Sequence, residues 1–541
     1  KIVQNAFCEA TGDSPTPIGF VAIDPEGLIT HWHGDEHTVI PSMTTRLWSW
    51  RSVRLRVAVC IALALTIEGL MRSNLNMAMV CMLNETAFVD DRALRAINHS
   101  TKCEELRFGN EKVYKYNGDL IWTSQQRAVI FASFYAGGLI ATLITERLNR
   151  CMGAKRLVLY GAIVNVLGTF ATPTVASFFG PIPMVVLRFI MGFGQGLLWP
   201  CMSVLVGHWF PATEKSTALA IATTGNQLSV VIAMFATAEL CQLPLFGGWP
   251  MAFHTYGVLG VLLCILWQIF VEDIPAHALG ITDEEVQVIT NSTGHKPRIQ
   301  ALNIYPNWMQ LLSSPVVWSI AGSAFAHNFI TVGTVTYLPF YYKTVLNMSL
   351  TSNGILSALP FIFQFISKIL YAGFADESKN RGWMSFTGVT KICNSSASLG
   401  LVVCFVLLCF CDCTHRLAAV VLVCLAMAFV SGYIPGYNTS VVSIAPSQTA
   451  AIASFSRIWA QIASSLSPYQ IGALTKQGTL EEWRIVFLTI VVICLSTGVF
   501  FQLFGSADVQ SWDSMQNEEP KQELIEGKLL DNTLGATGES T

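Results

Sequence analysis

Long stretches of apolar residues, separated by short polar loops, recur along almost the whole of this 541-residue chain. Most are close to or above the roughly 20 residues that a helix needs to cross a bilayer. The pattern predicts an all-α membrane protein with twelve transmembrane helices. We expect them in two sets of six: 55–80, 123–146, 155–177, 182–207, 216–240 and 249–272, then 313–340, 351–375, 384–410, 416–441, 446–474 and 485–506.

Polar segments flank and separate the two sets of spans. The connector Glu272–Gln310 contains Thr282-Asp283-Glu284-Glu285, a capping-box pattern that predicts a short surface helix. The residues after about 507 are acidic and lack apolar periodicity, which is typical of a disordered tail. The predicted organisation is a cytoplasmic N-terminal segment (1–54), a six-helix half (55–272), a cytoplasmic connector (273–312), a second six-helix half (313–506) and a disordered cytoplasmic tail (507–541).

Composition excludes several classes of protein. The chain is 52% hydrophobic and only 12% charged, whereas about a quarter of the residues of a soluble domain are charged. A net charge of -3 argues against nucleic-acid binding. Most of the 15 cysteines lie in apolar runs and have no zinc-type spacing, so we expect neither a metal nor another cofactor. No glycine loop with a lysine suggests ATP use, and we do not expect an enzyme.

Basic residues predict the orientation. They are concentrated before span 1 and in the loop after span 2, whereas the loops after spans 3 and 5 have almost none. Since basic loops stay in the cytoplasm, both termini and the connector are expected there. The loop after span 1 then lies outside the cell or in a lumen, where sequons at Asn84 and Asn98 predict glycosylation. The pattern fits a plasma membrane as well as a lysosomal or synaptic-type vesicle membrane.

One predicted span carries an unusual charge. Arg188 stands among apolar residues and glycines, and an arginine inside a membrane usually faces a cavity, a partner or a substrate. Gln195 lies roughly two helical turns further on, on the same face. This polar face, with glycines that allow close approach, predicts a pathway for a negatively charged solute. The alternative is that Arg188 only binds carbonyl groups and holds helices together.

The two sets of spans also resemble each other. An acidic residue ends span 2 (Glu146) and span 8 (Asp376), and a basic loop follows each of them. A matched feature at the same place in each set suggests two parallel repeats with a central site between them. This arrangement is that of major facilitator transporters.

Several short motifs carry a more specific resemblance. Their order and spacing along residues 55 to 510 are similar to those of the anion:cation symporters, which include sialin, the vesicular glutamate transporters and the sodium–phosphate cotransporters. The motifs are Gly69-Leu70-Met71-Arg72-Ser73-Asn74-Leu75-Asn76, Trp209-Phe210-Pro211, Thr336-Tyr337-Leu338-Pro339, Phe374-Ala375-Asp376, Ile444-Ala445-Pro446 and Glu482-Trp483-Arg484.

The resemblance implies roles for individual residues and also shows departures. An arginine in span 1 and another in span 4 serve anion binding in that family, and Arg72 and Arg188 occupy those positions. This chain has Gln195 where sialin-like members have a carboxylate implicated in proton coupling. The departures are Gln195, Met191, Phe131, His327, Ser443 and Arg457, so the family's usual proton coupling does not transfer directly.

Two further residues are candidates for coupling. Glu68 lies four residues before Arg72, so the two can pair on one helix face, as a permanent neutralising pair or as an exchangeable counter-ion. His327 is either a core histidine or a proton switch in the second half. Arg457 either adds a cation to the pathway or extends to the inner interface.

These residues predict a secondary active transporter that moves a small organic or inorganic anion by alternating access. Arg72 and Arg188 would bind the anion, Gln195 would orient it, and Tyr337 and His327 would line the opposite half. Its partners would be the anion, the lipid bilayer and Na⁺ or H⁺ as coupling ion, unless the membrane potential drives transport. The alternative is a transporter-like receptor that binds an anion without turnover.

Overall fold

The structure is a computed structural model. It describes residues 21–23, 29–31, 39–40, 52–84, 118–210, 215–243, 248–283, 285–287, 289, 308–445 and 448–513. The chain divides into two compact units, Lys1–Arg56 and Val57–Thr541.

The first unit contains a small antiparallel sheet. Its strands are β1 (Val21–Ile23), β2 (Ile29–His31) and β3 (Val39–Ile40), in the order β1-β2-β3. Val21 pairs with His31, and Ile29 pairs with both Ile23 and Ile40. No element was predicted here, because the mixed polar sequence has no strong periodicity.

Helices form the second unit, and a helix occupies each predicted span, with ends that shift by a few residues. In the first half they are α1 (Val53–Met82), α2 (Ser124–Met152), α3 (Ala154–Thr174, continued by a π turn over Val175–Phe179), α4 (Pro181–Gly196), α5 (Leu198–Trp209), α6 (Lys215–Gln242) and α7 (Pro250–Phe270). The break between α4 and α5 lies inside one predicted span.

The second half has a similar layout, but one of its spans is interrupted by two turns. Its helices are α8 (Trp308–Ser313), α9 (Pro315–Thr344), α10 (Leu350–Asn380), α11 (Phe386–Leu408), α12 (Arg416–Val430), α13 (Thr439–Ser443), α14 (Thr449–Leu474) and α15 (Leu480–Phe504). A 3₁₀ turn (Ser431–Tyr433) and a π turn (Ile434–Asn438) connect α12 to α13, and Gly436 has non-helical backbone angles there.

Ten of the described helical segments are long and apolar enough to cross a membrane by length and composition alone. The helices α1 and α14 are also long enough but are not among these ten. The all-α membrane fold is therefore confirmed, whereas the count of twelve spans and the domain boundaries stay predictions.

Side-chain caps fix several helix starts. Thr123 and Gln126 form a capping box at α2, and Thr479 and Glu482 form one at α15. In the connector, the backbone N–H of Glu285 donates to Thr282 Oγ1 at 3.3 Å, which is one half of the predicted capping box.

Glycines bring α4 against its neighbours. A β-carbon on Gly192 would lie 1.8 Å from the Phe134 carbonyl oxygen of α2, and one on Gly161 of α3 would lie 2.4 Å from the Gly194 carbonyl oxygen. No side chain fits at such distances, so α2, α3 and α4 pack backbone to backbone. This close packing holds the face that carries Arg188 at a fixed position.

Hydrogen bonds between described residues join the two halves at one end of the helix bundle. Ser124 Oγ donates to the Lys476 carbonyl at 3.1 Å, Gln242 Nε2 to Thr351 Oγ1 at 2.9 Å, and Lys343 Nζ to the Val80 carbonyl at 2.9 Å. All of these groups lie close to the helix ends that adjoin the loop between α1 and α2. We call this end of the bundle the closed end.

Candidate functional site

Arg188 is buried in α4, and no counter-ion for it lies among the described residues. Its side chain is 2% exposed, and its Nε has no hydrogen-bond partner among the described residues. The guanidinium carbon lies 5.6 Å from the ring centre of Phe134, and Tyr135 is close enough for an electrostatic interaction. A buried charge without a partner is costly unless a ligand or water compensates it. Arg188 therefore has free donors for an anion.

Arg72 lies in α1 and is half-buried. Its Nη2 donates to Asn226 Oδ1 of α6 at 3.1 Å, and this bond leaves the other guanidinium donors free of recorded partners within the described ranges. The bond to a neutral amide orients Arg72 but does not neutralise it. Asn226 was not among the predicted site residues, although a polar residue in an apolar span can itself indicate a functional site.

Glu68 and Arg72 form no hydrogen bond or salt bridge in the described part of the chain, but they are close enough for an electrostatic interaction. Whether Glu68 is a permanent neutralising partner of Arg72 or an exchangeable counter-ion stays a prediction. Glu68 is 3% exposed, and its Oε2 accepts a hydrogen bond from Asn165 Nδ2 of α3 at 2.9 Å. Its Oε1 has no hydrogen-bond partner among the described residues. The hydrogen bond to this carboxylate thus comes from Asn165 on a third helix rather than from Arg72.

Gln195 links α4 to this carboxylate residue through the backbone. Its Nε2 donates to the Glu68 carbonyl oxygen at 3.0 Å. This bond ties the polar face of α4, which carries Arg188, to α1, which carries Glu68 and Arg72. Met191 lies on the same face but packs against Gly168 as an apolar residue.

His327 lies in α9 and contacts the span of the second half that is interrupted between α12 and α13. Its Nδ1 is 3.0 Å from the Tyr437 hydroxyl, and its ring stacks on Tyr433 with centroids 5.5 Å apart. Tyr437 belongs to the π turn, so the interruption brings its hydroxyl against the imidazole. Pro435 and Gly436 are the sequence signal for this turn.

Tyr337 lies towards the closed end rather than beside Arg188. It is 1% exposed and packs edge-on against Phe131 at 5.7 Å between ring centres. The guanidinium carbon of Arg127 lies 5.7 Å from the Tyr337 ring centre and 3.8 Å from that of Phe340. These four residues cover one side of the interface between the halves, and Arg127 was not selected from the sequence.

Of the two predicted glycosylation sites, the structure describes Asn84, and glycosylation of both stays a prediction. Asn84 is half-buried, and its backbone N–H donates to the Leu120 carbonyl at 2.9 Å. Asn98 lies outside the described residues. Within the described ranges, no group of three or more histidine, cysteine, aspartate or glutamate residues could hold a metal ion.

Comparison with known proteins gives the family. The model of the Major Facilitator Superfamily matches residues 61–468. The chain is 26% identical over 506 residues to a putative inorganic phosphate cotransporter of Drosophila melanogaster, covering 92% of this chain and 94% of that protein. It is 28% identical over 445 residues to sialin of Ovis aries, covering 82% of this chain and 87% of sialin.

A solved structure shares the fold. A bacterial homologue of the human lysosomal transporter Spinster, in an inward-facing and unoccupied conformation, superposes with a TM-score of 0.58 at 15% identity. The match covers 83% of this chain and 96% of that protein. Together with the sequence matches, it confirms the resemblance drawn from the motifs: the chain belongs to the Major Facilitator Superfamily, among relatives that include sialin and phosphate cotransporters, and it is a multi-pass membrane transporter rather than an enzyme.

Proposed function

We propose that this transporter moves a small anion, and that Arg188 is the main anion-binding residue. The observation that carries the proposal is a buried guanidinium with no hydrogen-bonding or ionic partner among the described residues. Guanidinium stays charged and offers a planar set of donors that fits carboxylate or phosphate. Arg72, oriented by Asn226, adds a second cation in the same half.

Alternating access would expose this site to each side of the membrane in turn. The hydrogen bonds at the closed end support a state in which access is from the opposite end. The basic loops predict that this opposite end faces the cytoplasm. Cys413, in the loop between α11 and α12, is disulfide-bonded, which supports an oxidising outer or luminal side for the closed end.

Glu68 is the proposed coupling residue. Its Oε1 lacks a hydrogen-bond partner among the described residues. Asn165 binds its other carboxylate oxygen and Gln195 binds its backbone carbonyl, which holds Glu68 in place on the helix that carries Arg72. A carboxylate there can take up a proton when the anion binds. The membrane potential adds about 2.3 kcal/mol per 100 mV for each charge that crosses. Sodium remains the alternative coupling ion, and its contribution is measured by omitting it.

Uptake into proteoliposomes tests the proposal. Phosphate, urate, glutamate and sialic acid serve as labelled probes, with sodium and pH varied separately. We expect saturable uptake of at least one anion and a loss of about 10- to 100-fold in Arg188→Gln, because a charge-assisted hydrogen bond contributes about 1.5–3 kcal/mol. Arg381→Gln is the matched control, since Arg381 is exposed and pairs with Glu377 at the end of α10.

Two results would count against this function. Unchanged uptake in Arg188→Gln would exclude the anion-binding role of Arg188. Binding of a labelled anion without counterflow would indicate a receptor that does not turn over.

A further inference from the structure

The interior of the bundle carries an excess of positive charge. Charged residues that lie at least seven positions from both ends of their described membrane helix are four cations and one carboxylate: Arg72, Arg188, Lys368, Arg457 and Glu68. A net charge of this size in a low-dielectric region needs compensation. One monovalent anion at Arg188 neutralises only part of it, so the interior has capacity for a second anion.

Arg457 differs from Arg188 in its surroundings. It lies on α14, and its guanidinium carbon is 5.1 Å from the ring centre of Trp199 on α5, in the other half. Its side chain is exposed, and it has no recorded hydrogen bond or ion pair with the described residues. Because the guanidinium lies over a residue of the opposite half, this exposure is towards the interface between the halves rather than towards lipid.

A chain of interactions in the second half leads from Arg457 through Tyr437 and His327 to Lys368. The Tyr437 hydroxyl, which contacts His327, is close enough to Arg457 for an electrostatic interaction. Lys368 on α10 is half-buried, interacts electrostatically with His327 and has no recorded hydrogen bond or ion pair within the described ranges. Lys368 and Arg457 therefore add positive charge on the same side of the interface, whereas no carboxylate lies deep within the described helices of this half.

The position of Trp199 separates this cluster from Arg188. Trp199 of α5 follows Arg188 of α4 by eleven residues. Leu197, the residue between the two helices, keeps helical backbone angles, so this separation corresponds to about 16 Å and to nearly the same helix face. Gln461 lies one helical turn from Arg457 on α14. Its Nε2 is 3.4 Å from the position that a β-carbon on Gly138 of α2 would occupy, so this turn of α14 lies against the first half. The two arginines thus lie at different depths of one interface, too far apart for a single small anion to contact both.

We infer that Arg457 and Trp199 form a second anion-binding station, between Arg188 and the end of the bundle opposite the closed end. The indole face holds the guanidinium, whose in-plane donors remain available to a carboxylate, a phosphate or a halide. The station accepts the transported anion on its way to or from Arg188. This inference uses the orientation in the proposed function, but the station binds anions whether or not Arg188 does.

Iodide quenching of tryptophan fluorescence tests the station directly in the purified full-length chain. Iodide is a small anion that quenches indoles on contact, and Trp199→Phe identifies the share of the signal that belongs to Trp199. We expect this share to saturate with iodide concentration. Arg457→Gln should weaken the apparent iodide affinity at least about tenfold, and Arg457→Lys should restore most of it. Arg381→Gln is the control and should match the wild type.

The outcomes separate the station from the proposed function. Linear, non-saturating quenching of Trp199, or equal affinity in Arg457→Gln and the wild type, would overturn the station. The same measurement on Arg188→Gln should keep the saturable Trp199 signal. If that signal persists while Arg188→Gln transports normally, the station stands and the proposed role of Arg188 fails.

Discussion

Arg188 and Glu68 are the two residues whose chemistry defines the site in the first half. Among the described residues, the guanidinium has no hydrogen-bond partner, and the carboxylate accepts a hydrogen bond from Asn165 on one of its two oxygens. They lie on different helices that Gln195 joins through the Glu68 carbonyl. A bound anion would accept hydrogen bonds from Arg188, and a proton would neutralise the carboxylate of Glu68.

A glutamine at position 68 tests the coupling role at this scale. We expect wild-type uptake to depend on the pH gradient and Glu68→Gln to lose that dependence, because an amide cannot take up a proton. The measurement is uptake with and without an imposed pH gradient at constant membrane potential. Glu239→Gln, a half-buried glutamate near the end of α6, is the control.

The same experiment is done with His327→Gln. In the wild type the His327 imidazole is already stacked on Tyr433 and hydrogen-bonded to Tyr437, so we expect the pH response to persist in this variant. A pH response that survives in Glu68→Gln but disappears in His327→Gln would transfer the coupling role to His327.

At the level of helices, the position of Arg188 depends on the close packing of α2 against α4. The Gly192 backbone lies against the Phe134 carbonyl, and Phe134 also supplies the ring beside Arg188. A shift of one helix would therefore move both the arginine and its ring. The packing and the site depend on the same residues.

An alanine at position 192 tests this packing. Its β-carbon would lie 1.8 Å from the Phe134 oxygen, so the helices must separate. We expect a loss of about 1–3 kcal/mol of stability, as for other overpacked interiors. Thermal unfolding in detergent measures it. Gly207→Ala on α5 is the control, since nothing lies within 4 Å of its β-carbon position, and equal melting temperatures for the two variants would contradict the account.

The pattern of apolar residues predicted the helices well because a membrane helix depends mainly on its own composition and length. The partners of individual polar residues were harder to predict. Glu68 bonds Asn165, 97 positions away, rather than Arg72 on the next turn. Only the packing of α1 against α3 decides between them. The contact between Tyr437 and His327 likewise needs the π turn, which Pro435 and Gly436 indicate but do not position.

Alternating access is the property of the whole molecule. The contacts between the halves at the closed end must break in the other state, because transport requires that end to open. Gln242 and Thr351 provide such a contact between α6 and α10.

Covalent linkage of the closed end tests this motion. Gln242→Cys with Thr351→Cys, in a Cys241→Ser background, should lose most transport after treatment with a short thiol cross-linker. Thr387→Cys with Ser506→Cys is the matched control, because their hydroxyls are 3.3 Å apart within one half. Cross-linked Gln242–Thr351 protein that still transports would show that this end does not open during the cycle.

The central claim is that Arg188 binds the transported anion, and counterflow measures it most directly. Proteoliposomes loaded with an unlabelled anion that the wild type takes up are diluted into the same anion in labelled form. We predict transient accumulation of label in the wild type and in Arg381→Gln, little in Arg188→Gln and an intermediate level in Arg188→Lys, which keeps the charge but loses the planar donors. Full counterflow in Arg188→Gln would contradict the account.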